Sequence, residues 1–442
     1  MSINNPMRMK SFLKKCVTAI LMFEARVALI RYHPKIVAVT GSVGKTSAKD
    51  AIFCALAPFF SVRKSEKSYN SDLGIPLTIL GLTNPVRNPF FWLEALVVGA
   101  FRAVWPKKRL QWFVLEVGAG EPGDIKKFAD ILSPDIAVIT RFAEVPVHVE
   151  FFPSPEAVIS EKRELARSVK AGGVLVLGSD DMKVSALKQD FPDRRAVLYG
   201  NSASAAVRGS DYAIAYETRE NRAFPVGIRF NIHIGHHSFP IMLNDVLGEH
   251  LIQPILAAFG VASALHLDLS RVAKAFEQFS SAPGRMRLIQ GVNDSLIIDD
   301  SYNASPVAVR EALIALGSLD VEGRKMAILG GMAELGVFGP GEHRKIGALA
   351  AHSCSELVVV GKLAEEIKVG ALSSGMSTAC IRAFKTSKEA AHTVACDIRA
   401  GDVVLVKGSQ SARMEHIVKT LMRDKTRAGE LLVRQEREWR NK

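Results

Sequence analysis

Residues 35–49 read KIVAVTGSVGKTSAK, and this stretch restricts the fold more than any other. Residues 36–40 are apolar and β-branched, the composition of a strand buried on both faces. A glycine turn follows (Gly41, Ser42, Val43, Gly44), and Lys45, Thr46 and Ser47 then open a helical pattern that runs to Ala57. A buried strand leading through a tight turn into a helix is a βα unit, so the chain is committed to an α/β fold. Such a turn aims successive backbone N–H groups at the helix N-terminus, where an anion is held. Lys45 supplies a charge for the β- and γ-phosphates of a nucleotide, and the Thr46 hydroxyl is a ligand for Mg²⁺. The general phosphate-loop spacing places a glycine at position 39. This chain has Val39 there, a departure of one residue.

The alternation continues. Strands are expected at 60–63, 112–117, 135–140 and 174–177, with a helix at 155–170, which is the pattern of a doubly wound parallel sheet. Residues 196–245 change character: short strands at 226–234 and 238–243 suggest a peripheral antiparallel sheet. Ser281, Ala282, Pro283 and Gly284 form a linker. Beyond it, strands at 295–298, 326–330, 356–360 and 403–407 indicate a C-terminal Rossmann-like α/β domain. The expected division is a basic amphipathic helix at 1–35, a central P-loop-type domain at 36–283 with an apolar helical insert at 84–110, and a C-terminal domain at 284–442. A chain of 442 residues accommodates two or three such domains.

Five cysteines (Cys16, Cys54, Cys354, Cys380, Cys396) form no C-x-x-C pair. That argues for a reducing, cytoplasmic setting without a disulfide framework or a zinc site. Residues 1–35 carry seven Lys/Arg against Glu24, and residues 419–442 carry eight against four, so the two ends hold ten of the net +12. A near-neutral body excludes nucleic acid as partner, because that would need a basic stripe with stacking aromatics. Residues 8–35 suggest a basic amphipathic helix whose apolar run, 16–23, is too short to span a bilayer. Residues 89–105, PFFWLEALVVGAFRAVW, are apolar around most of a helix, with Glu94 and Arg102 on one narrow polar side and Lys107, Lys108 and Arg109 closing the segment. Two readings stand for 8–35 and 89–109: peripheral contact with the inner face of a membrane, or packing on the body or in a dimer.

Eight motifs occur in an order that resembles the Mur ligases: GSVGKTS at 41–47, the loop at 69–76, LEVGAGEPGDI, HVEFFPSPEAVISEK, PGRM, IDDSYNASP, ILGGMAELG with His343, and GDVVLVKGSQSARME. IDDSYNASP is most similar to the MurF-type branch. The resemblance spans residues 36–420. It implies an ATP-dependent amide-bond ligase of peptidoglycan precursor synthesis, adding D-alanyl-D-alanine to a UDP-N-acetylmuramoyl-tripeptide through an acyl phosphate. Such chemistry needs a phosphate clamp and cations on the transferring oxygens. The resemblance gives residues 41–47 to the phosphates and His250, Arg285 and Asp300 to the nucleotide. It gives Thr46, Glu116, His148 and Lys162 to the metal site. It implies that Lys162 is carbamylated by CO₂, and that Lys45, Lys162, His148 and Arg285 are catalytic. His343, Lys407, Ser409 and Arg413 would face the acceptor or the acyl phosphate, with the 281–284 linker as a hinge.

Taken singly, these residues have plainer readings. A strand-end Glu116 is a cap or an ion-pair partner, His148 a surface histidine, Lys162 a solvated helix lysine beside Glu161 and Arg163, and DDSYNASP good turn chemistry. Three departures stand out. The family's G-x-H-N-x-x-N stretch appears with Leu251 and Pro254 in place of both asparagines. Only about 35 residues precede the first strand, where MurF-type enzymes carry a domain for the UDP-sugar. Residues 84–110 are longer than the corresponding connection. The alternatives are a Mur-type ligase acting on another wall or capsule carboxylate, and a membrane-associated scaffold that binds ATP without ligating.

Overall fold

The computed structural model describes residues 6–66, 72–84, 89–219, 222–436 and 439. Part of the loop at 69–76 and part of the insert at 84–110 therefore lie outside the described residues. The chain forms two compact units.

The first unit comprises Met1–Phe142, Glu156–Val207 and Pro254–Val272. Its strands are β1 (Lys35–Thr40), β2 (Val62–Lys64), β3 (Trp112–Glu116), β4 (Ile136–Ile139), β5 (Val174–Gly178) and β6 (Arg195–Gly200). They run in the order β2-β3-β1-β4-β5-β6, with every neighbouring pair parallel. β1 is central, and its five residues after Lys35 are buried, as an apolar run flanked on both sides requires. Val39 pairs with Glu116 of β3 and Val138 of β4. Position 39 is therefore a strand interior, where a branched side chain packs and a glycine has no task. β2 begins at Val62 rather than Phe60, whose ring lies against Trp112 at 5.9 Å, tilted by 47°.

The helices of this unit include α1 (Pro6–Tyr32), α2 (Lys45–Leu56), α3 (Gly74–Leu80), α4 (Pro89–Val104) and α5 (Asp124–Leu132), and α6 (Pro155–Arg167) supplies most of its length to it. α1 packs on α3 and α4. Gly99 allows the close approach of α4: a Cβ there would lie 2.2 Å from Oε2 of Glu24. Arg102 corrects the expected polar side shared with Glu94. Its guanidinium turns to the carbonyls of Leu80 and Gly81, where the last turn of α3 offers unpaired acceptors. Phe91, Leu93, Val97 and Phe101 on α4, with Phe23 and Ile30 on α1, are exposed. Among the described residues no helix is long and apolar enough to cross a membrane.

The second unit comprises Ala143–Pro155, Arg208–Gln253 and Ala273–Lys442. β7 (Val207–Arg219), β8 (Arg222–Ile234) and β9 (His237–Asn244) are neighbours in that order. β8 and β9 are antiparallel, joined by two residues with Gly235 at φ 59°. A second sheet holds β10 (Arg287–Gln290), β11 (Leu296–Asp300), β12 (Lys325–Gly330), β13 (Glu356–Val360), β14 (Ile381–Phe384) and β15 (Val403–Lys407). Its order is β10-β11-β15-β12-β13-β14, parallel except for β10. Ile297, Ile328, Val358, Val404 and Val406 build its core, on strands buried along most or all of their length. Together the two units make a mixed α/β protein with a parallel-dominated first sheet and a Rossmann-like second one.

Glu24 is buried between α1 and α4, with Oε2 lacking a hydrogen-bond partner, and burial pushes its carboxyl up to about 7. The folded state thus holds this proton over a pH range, from about 4.5 upward, in which the unfolded chain has released it. Stability falls as pH rises through that window, and the penalty is complete above about 7. Glu24→Gln is expected to raise stability by about 1 kcal/mol at about pH 8, with the gain vanishing below about pH 4.5, in paired urea titrations.

Candidate active site

The first unit builds a phosphate loop at the end of β1. Gly41 has φ 145°, and a Cβ there would lie 2.0 Å from Oγ1 of Thr140. Only glycine fits this approach between the ends of β1 and β4. Thr140 Oγ1 donates to the Val43 carbonyl at 2.6 Å, and Gly44 enters α2 at φ 82°. Lys45 Nζ donates back to the Gly41 carbonyl at 2.8 Å, so its charge lies over its own loop. Thr46 Oγ1 donates to Oε2 of Glu116 at 2.8 Å, both residues being buried. Lys162 reaches in from α6 and donates to Ser42 Oγ at 3.1 Å. Burial first, and then the Lys45 charge, hold the Lys162 amine well below its ordinary range. The residues at 41–47, Glu116 and Lys162 thus converge as expected.

One member of this cluster escaped the sequence reading. Lys49 is buried and donates to the Ser65 carbonyl at 2.7 Å, with Asp50 at 3.2 Å. Burial lowers its pKa, and Asp50 and then Glu116 oppose that. Its spacing of three from Thr46 places both on one helix face. Among the described residues no group of three His, Cys, Asp or Glu has metal-holding geometry. The adjoining Thr46 hydroxyl and Glu116 carboxylate offer hard oxygen donors, and Mg²⁺ takes one or two such ligands with substrate phosphates and water. These side chains fit a nucleotide-borne Mg²⁺ rather than an all-protein cage.

The second unit gathers the other expected residues. Asp300, at the end of β11, is buried and accepts from Lys407 of β15. Burial raises the Asp300 pKa and lowers that of Lys407, while their attraction opposes both shifts. Arg285 lies over the Tyr302 ring at 4.2 Å and acts electrostatically on both members of the pair. His250 is pushed down to about 4 by burial and then by Lys407, so its ring is neutral at physiological pH. A Cβ at Gly248 would lie 2.6 Å from the His250 ring, which explains the glycine at φ 111°. Neighbouring Asp299 is pushed up to about 6 by burial.

His148 sits at φ 70° in this second unit, and its Nδ1 is 2.6 Å from Oε2 of Glu334. His343 spends both ring nitrogens on backbone, accepting from Met332 N at 2.8 Å and meeting the Gly339 carbonyl at 2.7 Å, so it shapes the loop between them. A cavity of about 440 Å³ at the ends of β12, β13 and β15 is lined by Lys362, Lys385, Lys388, Arg413 and His416 among others.

A turn that cradles phosphates beside an acid and a buried lysine defines a nucleotide-dependent α/β enzyme of the phosphate-loop kind. Comparison with known proteins narrows this. The Mur ligase middle domain matches residues 39–262, and the Mur ligase, glutamate ligase domain matches residues 284–410. The UDP-N-acetylmuramoyl-tripeptide–D-alanyl-D-alanine ligase of Mycobacterium tuberculosis is 30% identical over 413 residues, 88% of this chain and 73% of that protein. The enzyme of the same name from Bacillus subtilis is 27% identical over 399 residues, 90% of this chain and 78% of that protein. A crystal structure of MurF from Acinetobacter baumannii superposes with a TM-score of 0.75 at 25% identity, covering 92% of this chain and 81% of that one. The chain belongs to the Mur ligase family.

The buried Asp300–Lys407 pair carries a measurable consequence. Lys407→Met strands a carboxylate in a dry site and is expected to cost about 3–5 kcal/mol in urea unfolding. Adding Asp300→Asn should recover most of it in a double-mutant cycle.

Proposed function

We propose that the chain is an ATP-dependent carbon–nitrogen ligase of peptidoglycan precursor synthesis, adding D-alanyl-D-alanine to a UDP-N-acetylmuramoyl-tripeptide in the cytoplasm. The observation that carries this is the convergence of the 41–47 loop, Glu116 and Lys162 in a chain 30% identical to a ligase of that name. ATP phosphorylates a substrate carboxylate, and the dipeptide amine displaces phosphate from the resulting acyl phosphate. Backbone N–H groups of the loop and Lys45 hold the phosphates in line. Thr46 and Glu116 are the side chains that would hold Mg²⁺, which when bound offsets charge on the transferring oxygens. The remaining assignments belong to the same proposal: His148 at the metal, and His250, Arg285 and Asp300 at the nucleotide. In this reading residues 36–283 are the central ATP-binding domain, and residues 284–442 are the C-terminal domain that contributes Arg285 and Asp300. The cationic cavity between Lys362 and His416 has the chemistry to receive the dipeptide carboxylate.

Lys162 is part of the proposal as a carbamate. Carbamylation requires a neutral amine to attack CO₂, and burial and Lys45 both favour the neutral amine here. The product is an anion beside Lys45, which would then attract it rather than repel it. Peripheral membrane contact through 8–35 and 89–109 completes the reading.

Mass spectrometry of the product from ATP, D-alanyl-D-alanine and a UDP-N-acetylmuramoyl-tripeptide tests the activity directly. Lys45→Ala is expected to lower turnover roughly 10³-fold or more with the fold retained; near-normal turnover would sink the ligase reading. For Lys162, the alanine variant should be nearly inactive and partly restored by short carboxylates. Lys162→Arg should stay inactive, since a guanidinium cannot become an anion, and full activity of that variant counts against the carbamate.

A further inference from the structure

A cavity of about 160 Å³ in the first unit lies among the C-terminal ends of α1, α3 and α4. Arg63, Arg102, Lys107, Lys108 and Arg109 line it, with Tyr32 beside them. Arg63 Nη1 donates to the carbonyls of Thr78 and Ile79 at 3.2 and 3.1 Å, and Arg102 Nη1 donates to those of Leu80 and Gly81. These bonds cap α3 at the negative end of its dipole. They occupy one nitrogen of each guanidinium; among the described residues, Nε and Nη2 of both make no hydrogen bond. The arginines are close enough that Arg102, after burial, lowers the Arg63 pKa, with exposed Glu66 opposing. Five cations around one cavity, two of them arginines with spare planar donors, match a phosphate.

The cavity lies at one end of an apolar surface. Leu93, Val97, Phe101 and Trp105 follow one another at intervals of four on and just beyond α4, from 61% to 64% exposed. Phe23 and Ile30 of the adjoining α1 are 68% and 61% exposed. Contiguous apolar surface of this kind marks an interaction site, and aromatic residues beside cations are the pattern of a bilayer interface. A free phosphate would leave the apolar stripe without a partner. A two-fold dimer through this face would bring two copies of the cationic cluster to one interface.

We infer that the cavity seats the phosphate of an anionic phospholipid while the outward faces of α1 and α4 enter the bilayer interface. This rests on the peripheral-membrane reading above and names its head-group site; it is independent of the ligase chemistry.

Flotation of the full chain with phosphatidylcholine vesicles, with and without phosphatidylglycerol, tests it. Binding is expected only to the anionic vesicles. Arg102→Gln/Lys108→Gln should weaken it roughly tenfold or more, and Val97→Ser/Phe101→Ser should abolish it. The charge-matched control Lys183→Gln/Lys188→Gln, on exposed residues of the same unit, should stay within about twofold of wild type. Thermal unfolding checks that each variant is folded. Equal loss in the control and cavity variants would overturn the head-group site while leaving membrane docking. Absence of flotation for the wild type at low salt would overturn both. A wild-type dimer in sedimentation that Val97→Ser/Phe101→Ser dissolves would assign the face to a second copy instead.

Discussion

The first unit depends on the contact between Gly41 and Thr140. The ends of β1 and β4 come so close that the space for a Cβ at 41 is already filled by the Thr140 hydroxyl. That hydroxyl holds the Val43 carbonyl, and Lys45 holds the Gly41 carbonyl. The Ser42 N–H in turn donates to the Arg141 carbonyl at 2.6 Å, so the loop is fixed at the head of α2, the end of a helix that attracts an anion. Thr46 then meets Glu116, because β3 lies next to β1 in the sheet. Ser42 meets Lys162 from α6. Each partner comes from a different element, so the site exists only when the sheet is assembled.

Both units keep ionisable groups in dry surroundings, where a charge is costly unless paired. The pairing differs in kind. In the first unit Lys49 has Asp50 and a carbonyl, whereas Lys162 has a hydroxyl and a cation near it. A buried amine in that second setting is poised to lose its proton rather than to anchor a fold. In the second unit Asp300 and Lys407 neutralise each other, while Asp299 and His250 are shifted towards their neutral forms. Shifts caused by burial at the ends of parallel strands are the signature of a binding site more than of a stability device.

Central strands were legible in the sequence because burial on both faces demands an unbroken apolar run: residues 36–40 and 403–407 are such runs. The edge strands of the second sheet were not. β10 (RLIQ) and β14 (IRAF) lie at the two edges of the second sheet, where one flank has no strand to pair with and short mixed sequences suffice. β7 was hidden by Gly209, Ser210 and Asp211, which resemble turn residues yet run within a long strand. In the site, the loop, Glu116 and Lys162 were legible from ordered motifs. Lys49 was not, since only its burial separates it from a solvated helix lysine. The valine at 39 looked anomalous until strand pairing on both sides showed that the position is interior.

Arg102 shows what helical spacing alone cannot convey. Its eight-residue interval from Glu94 suggested a polar side running along α4. In the structure it leaves that side to cap α3. The consequence reaches beyond one residue: the outward surface of α4 loses a cation along its length and gains a cluster of cations at its C-terminal end. Apart from the exposed Glu94, charge and apolar surface are thereby separated along the helix axis. A helix packed in a protein core separates them around the axis, because one side faces the core and the other faces water. Separation along the axis suits an environment that itself changes from apolar to anionic over the length of a helix turn or two, as the boundary between acyl chains and phosphates does.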